Sequence, residues 1–306
     1  MMVSTCDKEL HLEHLRQYVS RMPSLSTTMQ KVLEVCNTPQ TSPNDLNHVI
    51  SLDPVLTGKV LKLINSAYYS LRNPVNSLTR AIIMLGINTV KNLALSTAVL
   101  ESLGGKESFR GLSVDDFWLH SLGVGVTSKF IAAEQGIPQS EREEYFVAGL
   151  LHDLGKIPLN REYAMEYADV LKKVGRENRS LHEMEMESFG IDHCLAGAMI
   201  IEKWQLGRNF LNALRHHHFP TNAPREDHSF VSIIAMADLL SNIQGIGSAG
   251  NPVKDQDIPS ALIRIHNAGM HMNQSALCNL QTRVREEIEK ARVFLQISRE
   301  GSPHAD

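Results

Sequence analysis

Apolar residues in this chain recur three and four positions apart in stretch after stretch, and no segment sustains period-two alternation between turn signals. That pattern fits helices and gives no support to a sheet. Asp53-Pro54 reads as a capping residue followed by a first-turn proline, and behind it Leu56, Val60, Leu63, Ile64 and Ala67 share one helical face. Val90, Leu93, Ala94 and Thr97 make a second stripe after Gly86. Leu277, Leu280, Val284, Ile288, Ala291 and Leu295 predict one long amphipathic helix near the C-terminus. Gly-rich breaks at 103–111 and 245–252 read as loops. The expectation is an all-α, multi-helix bundle: an N-terminal helical lobe over 1–105, a central lobe over 112–245 and a C-terminal helical tail over 258–306.

Composition narrows the function classes. With 42% hydrophobic and 21% charged residues, the chain has enough apolar surface for a packed core, which argues against wholesale disorder. A net charge of −4 without a basic run gives nucleic-acid phosphates no obvious face, so no nucleic-acid partner is expected. No apolar stretch reaches the roughly 18–20 residues that span a bilayer. Met1 to Leu15 has no apolar signal region, so no membrane role is expected and the cytoplasm is the expected location. Cys6, Cys36, Cys194 and Cys278 form no C-x-x-C pair and read as reduced thiols, mostly core filler.

Histidine carries the chemical signal: there are 14, several beside aspartates. The apolar run Phe146-Val147-Ala148-Gly149-Leu150-Leu151 leads directly into His152-Asp153-Leu154-Gly155-Lys156. A carboxylate in apolar company is costly to desolvate, and a divalent cation held by both side chains removes that cost. Lys156 lies three residues beyond Asp153 on the same side, where it could steady a phosphate. The alternative is a His-Asp pair at a helix end, capped by Gly155. His120, in Asp116-Phe117-Trp118-Leu119-His120, and Asp238, inside Ile233-Ile234-Ala235-Met236-Ala237-Asp238-Leu239-Leu240, each have an ordinary structural explanation alone. Taken in order with His152 and Asp153, they resemble the metal-binding pattern of the HD superfamily, and four N/O ligands suit one divalent ion.

A second set suggests a second ion. His193 opens a helix running to Trp204, and a helix N-terminus disfavours imidazolium, keeping this ring ligand-competent. Arg215-His216-His217-His218-Phe219-Pro220 reads either as a solvated helix C-terminus or as a source of two more ligands, His217 and His218. In the second case Asp153 bridges two ions, and a two-metal centre activates water against phosphorus.

Several landmarks in order make a family resemblance. Ser51-Leu52-Asp53-Pro54-Val55-Leu56, Ile64-Asn65-Ser66-Ala67-Tyr68-Tyr69 and Ala81-Ile82-Ile83-Met84-Leu85-Gly86 are followed by Phe117-Trp118-Leu119-His120 and the His152–Lys156 motif. Phe189-Gly190-Ile191-Asp192-His193, Trp204 and Arg215 through Pro220 complete the series. From about Leu25 to about Ser241 the chain resembles the HDOD (HD-related output domain) family, relatives of the HD-GYP phosphodiesterases. The resemblance implies an HD-type helical fold and a regulatory output role through a signalling protein or a small phosphorylated ligand. A metal-dependent phosphohydrolase is the alternative, with Asp153 and Lys156 as catalytic residues. It also implies metal ligands at His120, His152, Asp153, His193, His217, His218 and Asp238. Two divalent ions are expected, with iron or manganese favoured by a Cys-free set and zinc or nickel also compatible. Two departures stand out: Phe219-Pro220-Thr221-Asn222 replaces Gly-Tyr-Pro, which puts cyclic di-GMP hydrolysis in doubt, and no Glu follows the His pair. Asp116, four residues before His120, is a weaker candidate ligand.

Overall fold

The computed structural model describes residues 5–38, 40–103, 109–251 and 274–299. Among these every regular element is a helix, as the periodicity predicts. The first six are α1 (Thr5–Arg21), α2 (Thr27–Cys36), α3 (Pro43–Ser51), α4 (Pro54–Ile64), α5 (Leu78–Leu85) and α6 (Ile87–Leu103). The middle of the chain holds α7 (Val114–Glu134), α8 (Arg142–Leu151), α9 (Lys156–Glu162), α10 (Ala164–Glu177) and α11 (Leu181–Phe189). Then come α12 (His193–Trp204), α13 (Arg208–His216), α14 (His228–Ile243) and a C-terminal pair, Gln274–Ala291 and Val293–Arg299.

Local chemistry starts these helices where the sequence places its caps. Asp53 accepts a hydrogen bond from the Leu56 amide at 2.9 Å, with Pro54 as the first helical residue. Ser42 and Asp45 form a reciprocal capping box at α3, and Ser113 and Asp192 cap α7 and α12. Each such cap contributes on the order of 1 kcal/mol. One expected face is cut short. Leu56, Val60, Leu63 and Ile64 are buried, but α4 stops at Ile64 and Ala67 is exposed in a turn. Asn65 causes the stop: its amide donates to the carbonyls of Leu61 and Val75, and its oxygen accepts from the Val75 amide at 2.7 Å.

The helices α2 to α6 pack on one another, and α6 carries this group against α8. By contrast α1 packs on α9, α11 and α12, where Lys203 donates to the carbonyls of Val19 and Ser20 in its last turn and of Met22 just beyond it. The expected single C-terminal helix is broken at Arg292; Val284, Ile288, Ala291, Phe294 and Ile297 are buried, packing against α7 and α6. The side chains of Leu277 and Leu280 lie outside the described residues, as do 252–273. Phe294 meets Phe146 of α8 and Tyr68 of the turn after α4, at ring separations of 4.9 and 5.5 Å. Nearby, Tyr69 and Lys129 both donate to the buried Glu143 carboxylate. No single helix among the described residues is long and apolar enough to cross a membrane.

The site depends on how closely α7 and α8 approach. A methyl group at Gly149 would lie 2.8 Å from the Gly125 backbone, so the two helices touch main chain to main chain there. That contact sets the end of α8, and hence His152, beside His120 of α7.

Candidate metal centre

The seven ligands that the resemblance implies arrive at one place, and helix ends and faces explain why. His120 lies in the second turn of α7, Asp238 in the middle of α14, His152 and Asp153 just past the end of α8, and His193 is the first residue of α12. His217 and His218 follow the last turn of α13. His120, His152, Asp153 and His193 are fully buried, His217 and Asp238 nearly so, and His218 is half-buried. Gly155 permits the approach of α9 to α12: a methyl group there would fall 1.9 Å from the His193 carbonyl oxygen.

The imidazoles share one orientation. Nδ1 of His152 lies 2.8 Å from the Gly149 carbonyl, Nδ1 of His217 3.0 Å from the Leu214 carbonyl, and Nδ1 of His120 3.3 Å from the Ile246 carbonyl. Nδ1 of His193 lies 2.5 Å from Glu185 Oε2. Four acceptors therefore place the proton on Nδ1 in four rings and turn the Nε2 lone pairs inward, the arrangement typical of metal-ligating histidines. Inside, Nε2 of His120 is 3.0 Å from Asp238 Oδ1, and Nε2 of His152 is 3.2 Å from Asp153 Oδ2 and 3.5 Å from Asp238 Oδ1. On the other side of the same carboxylate, Asp153 Oδ1 faces Nε2 of His193 at 3.5 Å and Nε2 of His217 at 3.8 Å. His218 Nε2 is 2.9 Å from His193 Nε2. Asp153 thus stands between two groups of donors, one on each oxygen.

A divalent ion fits these residues. His152 Nε2, Asp153 Oδ1 and His217 Nε2 are buried without any hydrogen-bond partner, and buried polar atoms are rarely left so. Among the described residues, His120, His152 and Asp153 form one group whose donor atoms lie within 4.8 Å of one another, and His193, Cys194, His217 and His218 form another. The charges agree. Burial opposes ionisation of Asp153 and Asp238, yet the neighbouring His152, with Lys156 for the first and His120 for the second, holds both carboxyls well below the usual range. Glu185 is lowered likewise, burial being outweighed by His193 and Tyr167. Three buried carboxylates face one ammonium, Lys156, so the site has room for cationic charge. In the metal-free protein a proton takes part of that role. Burial resists it, but Asp153 and Asp238 raise His152 to about 10. Burial and the charge on His152 push His217 down to about 3, and His218 falls well below its ordinary value by burial and its imidazole neighbours.

Some expected roles change. Lys156 lies on the predicted side of Asp153, but its fully buried ammonium donates to Asp153 Oδ2 at 2.6 Å and to the Ala249 carbonyl at 2.9 Å. There it steadies the carboxylate between the two donor groups. Asp116 offers no carboxylate ligand: its side chain is exposed, and its carbonyl accepts from the Ser248 amide. The glycine-rich stretch after α14 is more than a spacer, because its carbonyls at Ile246 and Ala249 hold His120 and Lys156. Cys36 and Cys194 are free thiols; the side chains of Cys6 and Cys278 lie outside the described residues. Cys194 is no simple core filler, since it sits among the second group of imidazoles.

Three supporting residues escape notice in the sequence. Glu185 accepts from both the backbone amide (2.9 Å) and the ring of His193, while its other oxygen accepts from the Tyr167 hydroxyl at 2.6 Å. Asn242 donates to Asp238 Oδ1 at 2.7 Å. The available signal was helical: Leu181, Met184, Glu185 and Phe189 form the buried stripe of α11, with one acid on it.

Comparison with known proteins identifies the family and the fold. The sequence matches the HDOD domain over residues 22–220. A structure of an HDOD domain protein of unknown function from Geobacter sulfurreducens superposes with a TM-score of 0.75 at 24% identity, covering 94% of this chain and 98% of that one. A Shewanella amazonensis SB2B protein, provisionally named a phosphohydrolase, gives a TM-score of 0.70 at 22% identity, covering 93% and 98%. Both likenesses concern the fold. An uncharacterised protein of Treponema pallidum (strain Nichols) is 23% identical over 221 residues, 72% of this chain. This match spans only 42% of that relative's length.

Proposed function

The chain belongs to the HDOD domain family, and from that premise we propose that it is a signalling protein whose output depends on a binuclear divalent-metal centre and a partner protein or small phosphorylated ligand. The observation that carries this reading is the convergence of three Nδ1-anchored imidazoles, those of His152, His193 and His217, on the two oxygens of Asp153, with a fourth, His120, meeting Asp238 beside them. His120, His152, Asp153 and Asp238 would hold one ion, and His193, His217 and His218 the other, with Asp153 shared. Iron or manganese suits the first donor set. When bound, the ions supply Lewis acidity toward a phosphoryl oxygen and lower the pKa of water.

The protein's own groups prepare that site. Lys156 keeps Asp153 ionised and pointed inward, Glu185 fixes the tautomer and angle of His193, and Asn242 restrains Asp238. Burial favours a sensory or structural metal over rapid turnover: among the seven candidate ligands His218 alone is half-buried, Asp238 is 8% exposed and the rest are covered. The partial exposure of His218 favours the second reading, a metal-dependent phosphohydrolase, since a phosphoester could approach there.

The test is metal analysis of protein expressed without chelator or nickel resin, followed by phosphoester turnover assays. About two ions per chain, reduced in Asp153→Ala, is the expected result; protein that binds no ion under any loading condition refutes the centre. Turnover of phosphomonoesters or cyclic nucleotides that disappears in Asp153→Ala supports the hydrolase. Turnover equal in both proteins removes it and leaves the signalling role.

A further inference from the structure

One donor beside the second imidazole group plays no part in the function proposed above. Cys194 follows His193 in the first turn of α12 and is 6% exposed. Its Sγ and one nitrogen from each of His193, His217 and His218 all lie within 4.8 Å of one another. The group formed by His120, His152 and Asp153 contains no sulfur. We infer that Cys194 supplies a thiolate to the second metal position, so that the two halves of the centre differ in chemical character. The inference rests on the metal-binding reading and adds to it a ligand and a metal preference.

Position and rigidity support the assignment. A thiol that merely fills a core sits among carbon atoms, whereas this sulfur shares its surroundings with three ring nitrogens. The backbone that carries it is held in place, because Asp192 caps α12 by accepting from the Leu195 amide at 2.9 Å and Glu185 accepts from the His193 amide at 2.9 Å. Without a metal, burial and the carboxylates of Asp192, Glu185 and Asp153 hold this thiol well above its ordinary range, so it keeps its proton until a cation takes the proton's place. Four ligands of a tetrahedral ion with bonds of roughly 2.0–2.3 Å stand roughly 3–4 Å apart, so a donor set this compact needs only a small contraction. As the metal–sulfur bond forms, the S–H bond breaks and its proton leaves to water.

The consequence is selectivity. A purely N/O position suits iron or manganese, while imidazoles joined by a thiolate suit zinc or cobalt. The two positions should then prefer different ions.

Cobalt(II) reports the sulfur directly, through a near-ultraviolet thiolate-to-cobalt absorption that N/O ligands do not produce. The full chain is titrated with Co²⁺ as wild type, Cys194→Ser and Cys194→Ala, with bound metal counted by equilibrium dialysis. The wild type should develop a band whose intensity tracks one bound ion per chain. Both variants should lack it, retain one ion with a dissociation constant within about twofold of wild type, and bind the second at least about tenfold more weakly, since losing even an outer partner of a ligand costs about 10–100-fold. Two ions bound by the wild type without the band, or a band that persists in both variants, overturns the inference while leaving the binuclear centre intact. No bound ion in the wild type overturns both. The spectrum needs no catalytic activity, and the wild-type measurement stands even if a variant folds poorly.

Discussion

Replacing Glu185 by Gln tests whether the centre depends on a residue that touches no metal. The carboxylate is fully buried and accepts three hydrogen bonds: from the His193 amide at 2.9 Å, from the His193 ring at 2.5 Å and from the Tyr167 hydroxyl at 2.6 Å. Glutamine keeps the shape but has one oxygen and one NH₂ group, so either Tyr167 or His193 then faces a donor. If the NH₂ faces His193, the ring must move its proton to Nε2 and loses the lone pair aimed at the metal. Disturbing such partners costs about 10–100-fold in metal affinity, equivalent to roughly 1.4–2.7 kcal/mol. One buried donor left unpaired lowers the stability of the metal-free protein by about 1–3 kcal/mol. Competition with a chromophoric zinc chelator measures the first effect, and thermal unfolding in excess chelator the second. Tyr167→Phe is the control: it removes one hydrogen bond, about 0.5–1.5 kcal/mol, and leaves the ring of His193 alone. A Glu185→Gln protein that folds and binds zinc within twofold of wild type would refute the argument that Glu185 orients His193.

Proton and metal compete for His152. Its pKa is raised to about 10 by Asp153 and Asp238 against the opposing effect of burial. Stability from this group is therefore complete below its ordinary value and is lost as pH climbs toward 10, whereas the depressed Asp153 and Asp238 lose theirs as pH falls through the acid range. Metal affinity should rise by about one tenfold step per pH unit from near neutrality toward 10, because each ion bound there displaces the proton; chelator competition showing a flat profile would contradict this. Lys156→Met strips Asp153 of its buried cation, and breaking such a pair costs about 3–5 kcal/mol. Denaturant unfolding should show that loss without metal and a smaller one with it, while equal losses would mean that the ion does not share the carboxylate. Gly155→Ala forces a methyl group into the His193 carbonyl, which calls for at least about 3 kcal/mol of destabilisation by overpacking; an unchanged melting temperature would mean that α9 and α12 separate easily.

What could be read from the sequence follows from what a side chain reveals alone. His152, Asp153 and Asp238 stood out because ionisable groups inside apolar runs need a partner, and the helical periods stated which faces turn inward. The structure gathers all seven candidate ligands for that reason. Residues that act through other residues left weaker marks. Glu185 stands between Met184 and Met186, in a segment where Glu183 and Glu187 make it look solvated, and only its place on the Leu181–Phe189 stripe separates it from them. The carbonyls of Ile246 and Ala249 left no mark, because every residue has a carbonyl and only the path of the chain decides which one meets His120 or Lys156. Lys156 shows the same limit from the other side: spacing placed it beside Asp153 but could not tell a cation bonded to that carboxylate from one free to meet a phosphate. Cys194 looked inert for a related reason, since nothing near it in sequence except His193 suggests a ligand, and the other two imidazoles come from the far end of α13. Composition and period thus identify the groups that must be neutralised, while the groups that do the neutralising become visible only when helices cross.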